Sequence, residues 1–216
     1  MDHYEITFKT WDKLALQYQD KFMDLDLYND TYERFCELVK PVHAKILEIG
    51  CGPGNITRYI LAKRPDFKLE GIDVAPNMLK LAKENNPTAH FKVMDCRHID
   101  TLTITFDGII CGFCLPYLSK SDGKKLIADT SDLLTEGGLI YISFVEGDPI
   151  QSGFQTGTTP DRVYFYYYTL DQLKTWLFDK GFEVIKIFKV VYKKSETEED
   201  MHTLVVAKKK RMRTRP

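Results

Sequence analysis

Past residue 42, short apolar runs alternate with stretches whose apolar positions recur at helical spacing. The strand-like runs fall near 44–49, 68–73, 90–94, 106–111 and 138–145, and the helical patterns near 54–63, 76–84, 122–134 and 170–180. This alternation predicts a parallel sheet with crossover helices. Local signals mark several ends. Pro76 sits where a first helical turn needs no N–H, Thr169-Leu-Asp-Gln172 forms a capping-box pattern, and Gly181 follows as a helix stop. The link 95–105 is too short for a full helix and reads as a turn or loop. Upstream, Tyr28, Tyr32, Phe35, Cys36 and Val39 lie at i, i+4, i+7, i+8 and i+11, one helix face, and Trp11 to Tyr18 suggests another helix. At the far end Phe182–Val191 and His202–Ala207 are strand-like and joined by a polar turn, which predicts an antiparallel hairpin. The expected organisation is a helical cap over 1–42, an α/β domain over 43–207 and a tail over 208–216.

Composition narrows the class. The 216 residues carry 30 Lys+Arg against 31 Asp+Glu and a net charge of -1, the balance of one globular domain. Lys208, Lys209, Lys210, Arg211, Arg213 and Arg215 crowd the end, and removing those six charges from -1 leaves -7 for the body. An acidic body offers no broad phosphate-binding face, so the tail reads as solvated and without a site role. The longest apolar runs fall short of the ~20 residues that cross a bilayer, and the N-terminus lacks a basic-then-apolar leader, so the expected location is cytoplasmic. Five cysteines without a secretory signal predict reduced thiols. Cys111-Gly-Phe-Cys114 has redox-motif spacing, yet it follows the apolar run Phe106–Ile110, which favours burial at a strand end over redox or metal chemistry.

The chemistry concentrates in Ile46-Leu-Glu-Ile-Gly-Cys-Gly-Pro-Gly54, a buried-type strand running into glycines and then a helix. Gly50, Gly52 and Gly54 let the backbone turn sharply and approach a ligand, at the edge where open α/β sheets bind nucleotide-like molecules. A second strand ends in Gly71-Ile-Asp73, placing a carboxylate where it can accept ribose hydroxyls. A dinucleotide site would have G-x-G-x-x-G and receive pyrophosphate at the helix N-terminus. Here the order is G-x-G-x-G, and Glu48 would repel pyrophosphate but tolerate an ammonium or sulfonium. The ligand therefore reads as cationic at one end.

With these residues in place, the chain resembles the class I S-adenosylmethionine-dependent methyltransferases, of the small-molecule type. Glu48-Ile-Gly-Cys-Gly-Pro-Gly54 is similar to the family's first motif. Asp73-Val-Ala-Pro-Asn-Met78 is similar to its ribose-binding acid and the following helix, His90-Phe-Lys-Val-Met-Asp95-Cys-Arg to its third strand, and Phe106-Asp-Gly-Ile-Ile-Cys111 to its fourth. Leu133-Leu-Thr-Glu-Gly-Gly-Leu139 and Gly181-Phe-Glu-Val are similar to the turns into the fifth and sixth. The resemblance implies a doubly wound, Rossmann-like seven-stranded mixed sheet and S-adenosyl-L-methionine as cofactor. It implies that Gly50, Cys51, Gly52 and Gly54 face the methionine part, that Asp73 takes the ribose hydroxyls beside Val74 and Met78, and that Asp95 and Cys96 meet adenine. Cys111 and Gly112 would offer backbone groups to the amino end, and Tyr18 would close over the cofactor or pack as a cap aromatic.

The acceptor side carries fewer signals. Cys111-Gly-Phe-Cys-Leu-Pro-Tyr117 lacks the polar acceptor that amino methyltransferases of DNA bases often place there, and Cys114 does not follow proline as a carbon-5 nucleophile usually does. Both departures argue against a nucleic-acid acceptor. In Glu146–Tyr168 an extended chain would put Tyr164, Tyr166 and Tyr168 on one face and Val163, Phe165 and Tyr167 on the other. Tyr117 with the first face are the candidate walls of an acceptor pocket, the alternative being an edge strand with exposed tyrosines. His98 is a candidate base, although a lone histidine is usually structural. No catalytic residue and no metal site is assigned, and the oligomeric state stays open. The expected activity is methyl transfer to a small-molecule acceptor by in-line displacement, against a cofactor-binding regulatory protein without turnover and an NAD-dependent oxidoreductase.

Overall fold

The computed structural model describes residues 2–157 and 160–211, so Arg213 and Arg215 of the basic tail lie outside the described residues. Three helices, α1 (His3–Lys13), α2 (Ala15–Phe22) and α3 (Asn29–Leu38), precede β1 (Lys45–Ile49). The expected Trp11–Tyr18 helix is two helices broken at Leu14. The alternating part is α4 (Asn55–Lys63), β2 (Lys68–Asp73), α5 (Pro76–Asn85), β3 (His90–Val93), β4 (Phe106–Cys111), α6 (Lys120–Leu133) and β5 (Leu134–Val145). The short link holds a 3-10 turn over Cys96–Thr101, kinked at His98. There follow β6 (Gly153–Thr156), β7 (Arg162–Phe165), α7 (Leu170–Asp179), β8 (Phe182–Lys193) and β9 (Glu199–Lys209). The capping box at α7 forms as the sequence predicts, with Thr169 and Gln172 bonding each other's backbone N–H.

The main sheet has the order β3-β2-β1-β4-β5-β9-β8. β1 to β5 pair in parallel and β9 enters antiparallel between β5 and β8. Both faces are covered, so the central strands are apolar almost throughout. Ile46, Ile110, Tyr141 and Val206 point to one face and pack with Phe35 of α3 and Ile56 and Ile60 of α4. Leu47, Ile109, Ile140 and Val205 point to the other and pack with α6 and α7 through Leu126, Leu173 and Trp176. β6 and β7 form a separate two-stranded antiparallel sheet beside α1.

Two boundaries differ from expectation. β5 begins at Leu134 rather than 138, because Gly137 at φ 79° and a register irregularity against β4 absorb the glycine pair inside the strand. β9 runs through Lys208 and Lys209, which pair with Glu183 and Phe182, and Lys209 Nζ donates to the carbonyl of Leu134 at 2.9 Å. Those two lysines belong to the sheet, not to a solvated tail. Among the described residues no helix is long and apolar enough to cross a membrane.

Candidate active site

The glycine loop leaves β1 at the carboxyl edge of the sheet. Gly50 (φ 66°) and Gly52 (φ 53°) both sit in the left-handed region that a side chain resists. The Gly50 and Cys51 N–H groups donate to the Ile72 carbonyl at 2.8 and 3.0 Å, tying the loop to β2. Asp73 completes the tie: its Oδ2 accepts from the Gly52 N–H and its Oδ1 from the Ala75 N–H, both at 2.9 Å. Burial raises the Asp73 pKa, and these N–H bonds oppose the rise. Gly54 (φ 82°) does a different job. A Cβ there would lie 2.3 Å from Asn86 Nδ2, so this glycine lets α4 pack against α5.

Glu48 lies on the α3/α4 face of β1 and is 1% exposed. Thr57 of α4 donates to its Oε2, while Oε1 has no hydrogen-bond partner among the described residues. Burial pushes its pKa up to about 8, with the Thr57 bond opposing and the charge of Asp73 adding. Unpaired buried polar atoms are rare because each forfeits its hydration without return, so this one points to a missing partner.

Two clefts meet over the sheet edge. The first, about 710 Å³, is walled by Gly50, Gly52, Asp73, Val74, Met78, Met94, Cys96 and Gly112 and roofed by Thr7, Phe8, Trp11 and Tyr18. The second, about 760 Å³, contains Glu48, Cys51 and Asn55 and extends to Tyr28, Tyr192 and His202. Trp11, Tyr18, Gly50, Gly112, Phe113 and Tyr117 line both and mark the join. Trp11 packs edge-on against Tyr18 and Tyr117, each at 5.5 Å, and its buried Nε1 also has no partner.

Most residues expected around a cofactor, Tyr18, Gly50, Cys51, Gly52, Asp73, Val74, Met78, Cys96 and Gly112, therefore come together. Three do not reach the clefts. Gly54 is taken by helix packing, and Cys111 is fully buried at the end of β4. Asp95 lies beside the wall that Met94 and Cys96 form, with its carboxylate bound by the Arg97 guanidinium, Nε to Oδ2 at 3.0 Å. Partial burial would raise its pKa, but the Arg97 bonds and charge prevail and hold it below the usual range. Arg97 in turn stands 4.0 Å over the Tyr4 ring. Cys114 packs on the loop, its Sγ 3.7 Å from that of Cys96, and all five cysteines are free.

The expected acceptor wall is turned the other way. Tyr164 packs tilted against His3 at 4.8 Å, the Tyr166 hydroxyl meets His3 Nε2 at 2.7 Å, and Tyr168 is 2% exposed with its hydroxyl donating to the Leu118 carbonyl. From the opposite face, Phe165 packs edge-on behind the cleft residue Tyr117 at 5.7 Å. The reason is the β6–β7 hairpin, whose Tyr164 N–H donates to Thr7 Oγ1 at 2.9 Å and so fixes which face meets α1. His98 is exposed at the kink of its turn. Glu146 is occupied by Thr203 Oγ1 at 2.7 Å and Lys189 Nζ at 2.8 Å.

Sequence reasoning misses the roof residues Thr7, Phe8 and Trp11 and the far wall, Phe113, Tyr28 and His202. Phe113 holds a left-handed backbone (φ 56°), its N–H donating to Ser143 Oγ at 2.8 Å. Such a conformation in a bulky residue costs about 1–3 kcal/mol and recurs at functional sites.

Residues 46–138 match the family described as methyltransferase domain. A protein of Invertebrate iridescent virus 6, provisionally named a methyltransferase, is 34% identical over 97 residues, 45% of this chain and 36% of that protein. The chain thus spans about a third of that relative. The demethylmenaquinone methyltransferase of Thermotoga maritima is 24% identical over 172 residues, 78% of this chain and 69% of its own. Among solved structures, the magnesium protoporphyrin IX methyltransferase of Synechocystis PCC 6803 with bound SAM superposes with a TM-score of 0.74 at 12% identity, covering 97% of this chain and 98% of that one. Residues 46–138 are thus similar to a methyltransferase domain, and the chain as a whole has the fold seen in S-adenosylmethionine-dependent methyltransferase structures.

Proposed function

We propose that this protein transfers a methyl group from S-adenosylmethionine to a small-molecule acceptor by in-line displacement. The observation that carries the reading is the pair of buried carboxylates at two ends of one joined cleft, Asp73 among backbone donors and Glu48 with a free Oε1. They suit a ligand with ribose hydroxyls at one end and an ammonium at the other, and Glu48 opposes a pyrophosphate. Asp73 would hold the ribose, Val74, Met78, Met94 and Cys96 would flank the base, and Glu48 with the Gly50 and Gly112 backbone would hold the amino-acid end. The bound cofactor supplies a methyl group already activated by its sulfonium. What remains for the protein is to align the acceptor and exclude water, a task for the Trp11 and Tyr18 roof.

Named relatives support a small acceptor: one acts on demethylmenaquinone and another, from Streptomyces avermitilis, on trans-aconitate. A relative from Schizosaccharomyces pombe acts on tRNA cytidine, which makes tRNA one arm of the test. Calorimetric titration with S-adenosylmethionine, S-adenosylhomocysteine and NAD should give binding by the first two alone. A labelled methyl donor offered with a metabolite panel and with tRNA should label a metabolite. Binding without label in any pool would replace the enzyme by a cofactor-binding regulator, and preference for NAD would overturn the whole reading.

A further inference from the structure

The second cleft continues past Glu48 to Tyr28, Tyr192 and His202. Its far wall is a stack: the His202 ring lies 4.9 Å from Tyr192 at 9° and 5.9 Å from Tyr28 at 15°, with Phe113 against it at 4.9 Å. The Tyr28 hydroxyl meets His202 Nδ1 at 2.7 Å, so the imidazole is fixed in both plane and rotation. No described residue bonds its other nitrogen, Nε2. The titratable groups around it are Tyr28 and Tyr192, with Asp200 and Lys194 farther out on the β8–β9 hairpin. Burial pushes the imidazole pKa down to about 4, Asp200 opposing and Lys194 adding, so the ring is neutral near pH 7. Among the described residues, neither cleft is lined by Lys or Arg. The exposed Lys21 is the nearby cation, its Nζ 5.1 Å from the Phe22 ring centre and 5.9 Å from that of Tyr192.

These features select the acceptor. A carboxylate or phosphate would meet Glu48 and Asp73 with no lining cation. An amine would arrive charged beside a Glu48 already paired. A flat, uncharged ring would lie against Tyr28, Phe113 and Tyr192 and present one polar group to His202 Nε2. Resting on the methyl-transfer reading above, we propose that the Tyr28–His202–Tyr192 end of the cleft is the acceptor subsite and takes a phenol, whose hydroxyl proton passes to His202 Nε2. His202 packs at 4.9 Å against Phe113, one of the residues that line both clefts at the join. The phenolic oxygen forms its bond to the methyl carbon as the carbon–sulfur bond breaks, and that electron pair stays on sulfur as a neutral thioether. The proton on Nε2 leaves to water after the product does. For Nε2 to accept, Nδ1–H must donate to the Tyr28 oxygen, which makes Tyr28 the residue that sets the tautomer.

The test uses the full chain saturated with S-adenosylhomocysteine, probed calorimetrically with 4-chlorophenol and with 4-chloroanisole, which lacks the proton. The wild type should prefer the phenol. His202→Phe, which keeps a flat ring in the stack, should lose about tenfold in phenol affinity and nothing for the anisole or for S-adenosylhomocysteine. Tyr28→Phe should lose less than His202→Phe. In single turnover His202→Phe should slow transfer to 4-methylphenol more than to the more acidic 4-nitrophenol. Equal losses for phenol and anisole, or tighter binding of benzylamine or benzoate than of 4-chlorophenol in the wild type, would overturn the subsite. Failure of the wild type to bind S-adenosylhomocysteine would instead overturn the methyl-transfer reading, and this proposal with it. Unchanged S-adenosylhomocysteine affinity in the variants establishes that they fold.

Discussion

Binding of S-adenosylmethionine should expel a proton from Glu48. In the free protein this carboxyl is buried, lacks a partner at Oε1, and titrates near 8 against an ordinary 4.5, so at pH 6.5 it is almost entirely protonated. Ionising it there costs about 2 kcal/mol, at about 1.36 kcal/mol per pH unit. An ammonium in contact returns more, about 4 kcal/mol at 4 Å and an effective dielectric of 20. The ligand's α-amino group is charged at pH 6.5, so it neither gains nor loses a proton itself. Titrating at pH 6.5 in buffers of different ionisation enthalpy should show close to one proton released per site, and none for Glu48→Gln. The sign for stability follows from the same shift. A raised carboxyl pKa leaves the free fold undiminished below pH 4.5 and destabilises it progressively as pH rises toward 8. Glu48→Gln should therefore raise the melting temperature of the free protein at pH 8 while weakening cofactor binding. A buffer-independent binding enthalpy in the wild type at pH 6.5 would refute the assignment of Glu48 to the ammonium.

Asp73→Ala should weaken cofactor binding by about 1.5–3 kcal/mol, read by calorimetry, because it removes charged hydrogen bonds to ligand and loop together; undiminished affinity would take Asp73 out of the site. Gly54→Ala should lower stability by about 2 kcal/mol or more in chemical denaturation, since it combines a left-handed backbone with a Cβ 2.3 Å from Asn86 Nδ2. Deleting the chain from Lys208 onward should lower the melting temperature, because Lys208 and Lys209 pair with β8 and the Lys209 ammonium bonds the end of α6. An unchanged transition would return them to a solvated tail.

What the sequence reveals and what it conceals divide by range. The glycine loop, Asp73 and the Thr169–Gln172 box are local: a few adjacent residues fix the backbone, and the structure keeps them. Asp95 is also shaped locally, because Arg97, two residues on, bonds its carboxylate. The tyrosine run after Arg162 has the right alternation, but alternation alone does not say which face turns inward. That depends on α1, more than 150 residues away, through Thr7 and Tyr164. His202 is invisible for the same reason. Its strand pattern is clear, while its neighbours Tyr28 and Phe113 come from other ends of the chain.

The Tyr28–His202 bond joins residues 174 positions apart, which has a consequence for synthesis. β9 follows the other described strands along the chain and inserts between β5 and β8. Until it emerges, β5 presents Leu139–Val145 as an unpaired edge, an apolar segment prone to wrong pairing. The cofactor loop can form early, but the chamber wall is closed only by that final insertion. A nascent or truncated chain would therefore hold half a site on an aggregation-prone sheet, and completing the pocket and protecting the edge are one folding event.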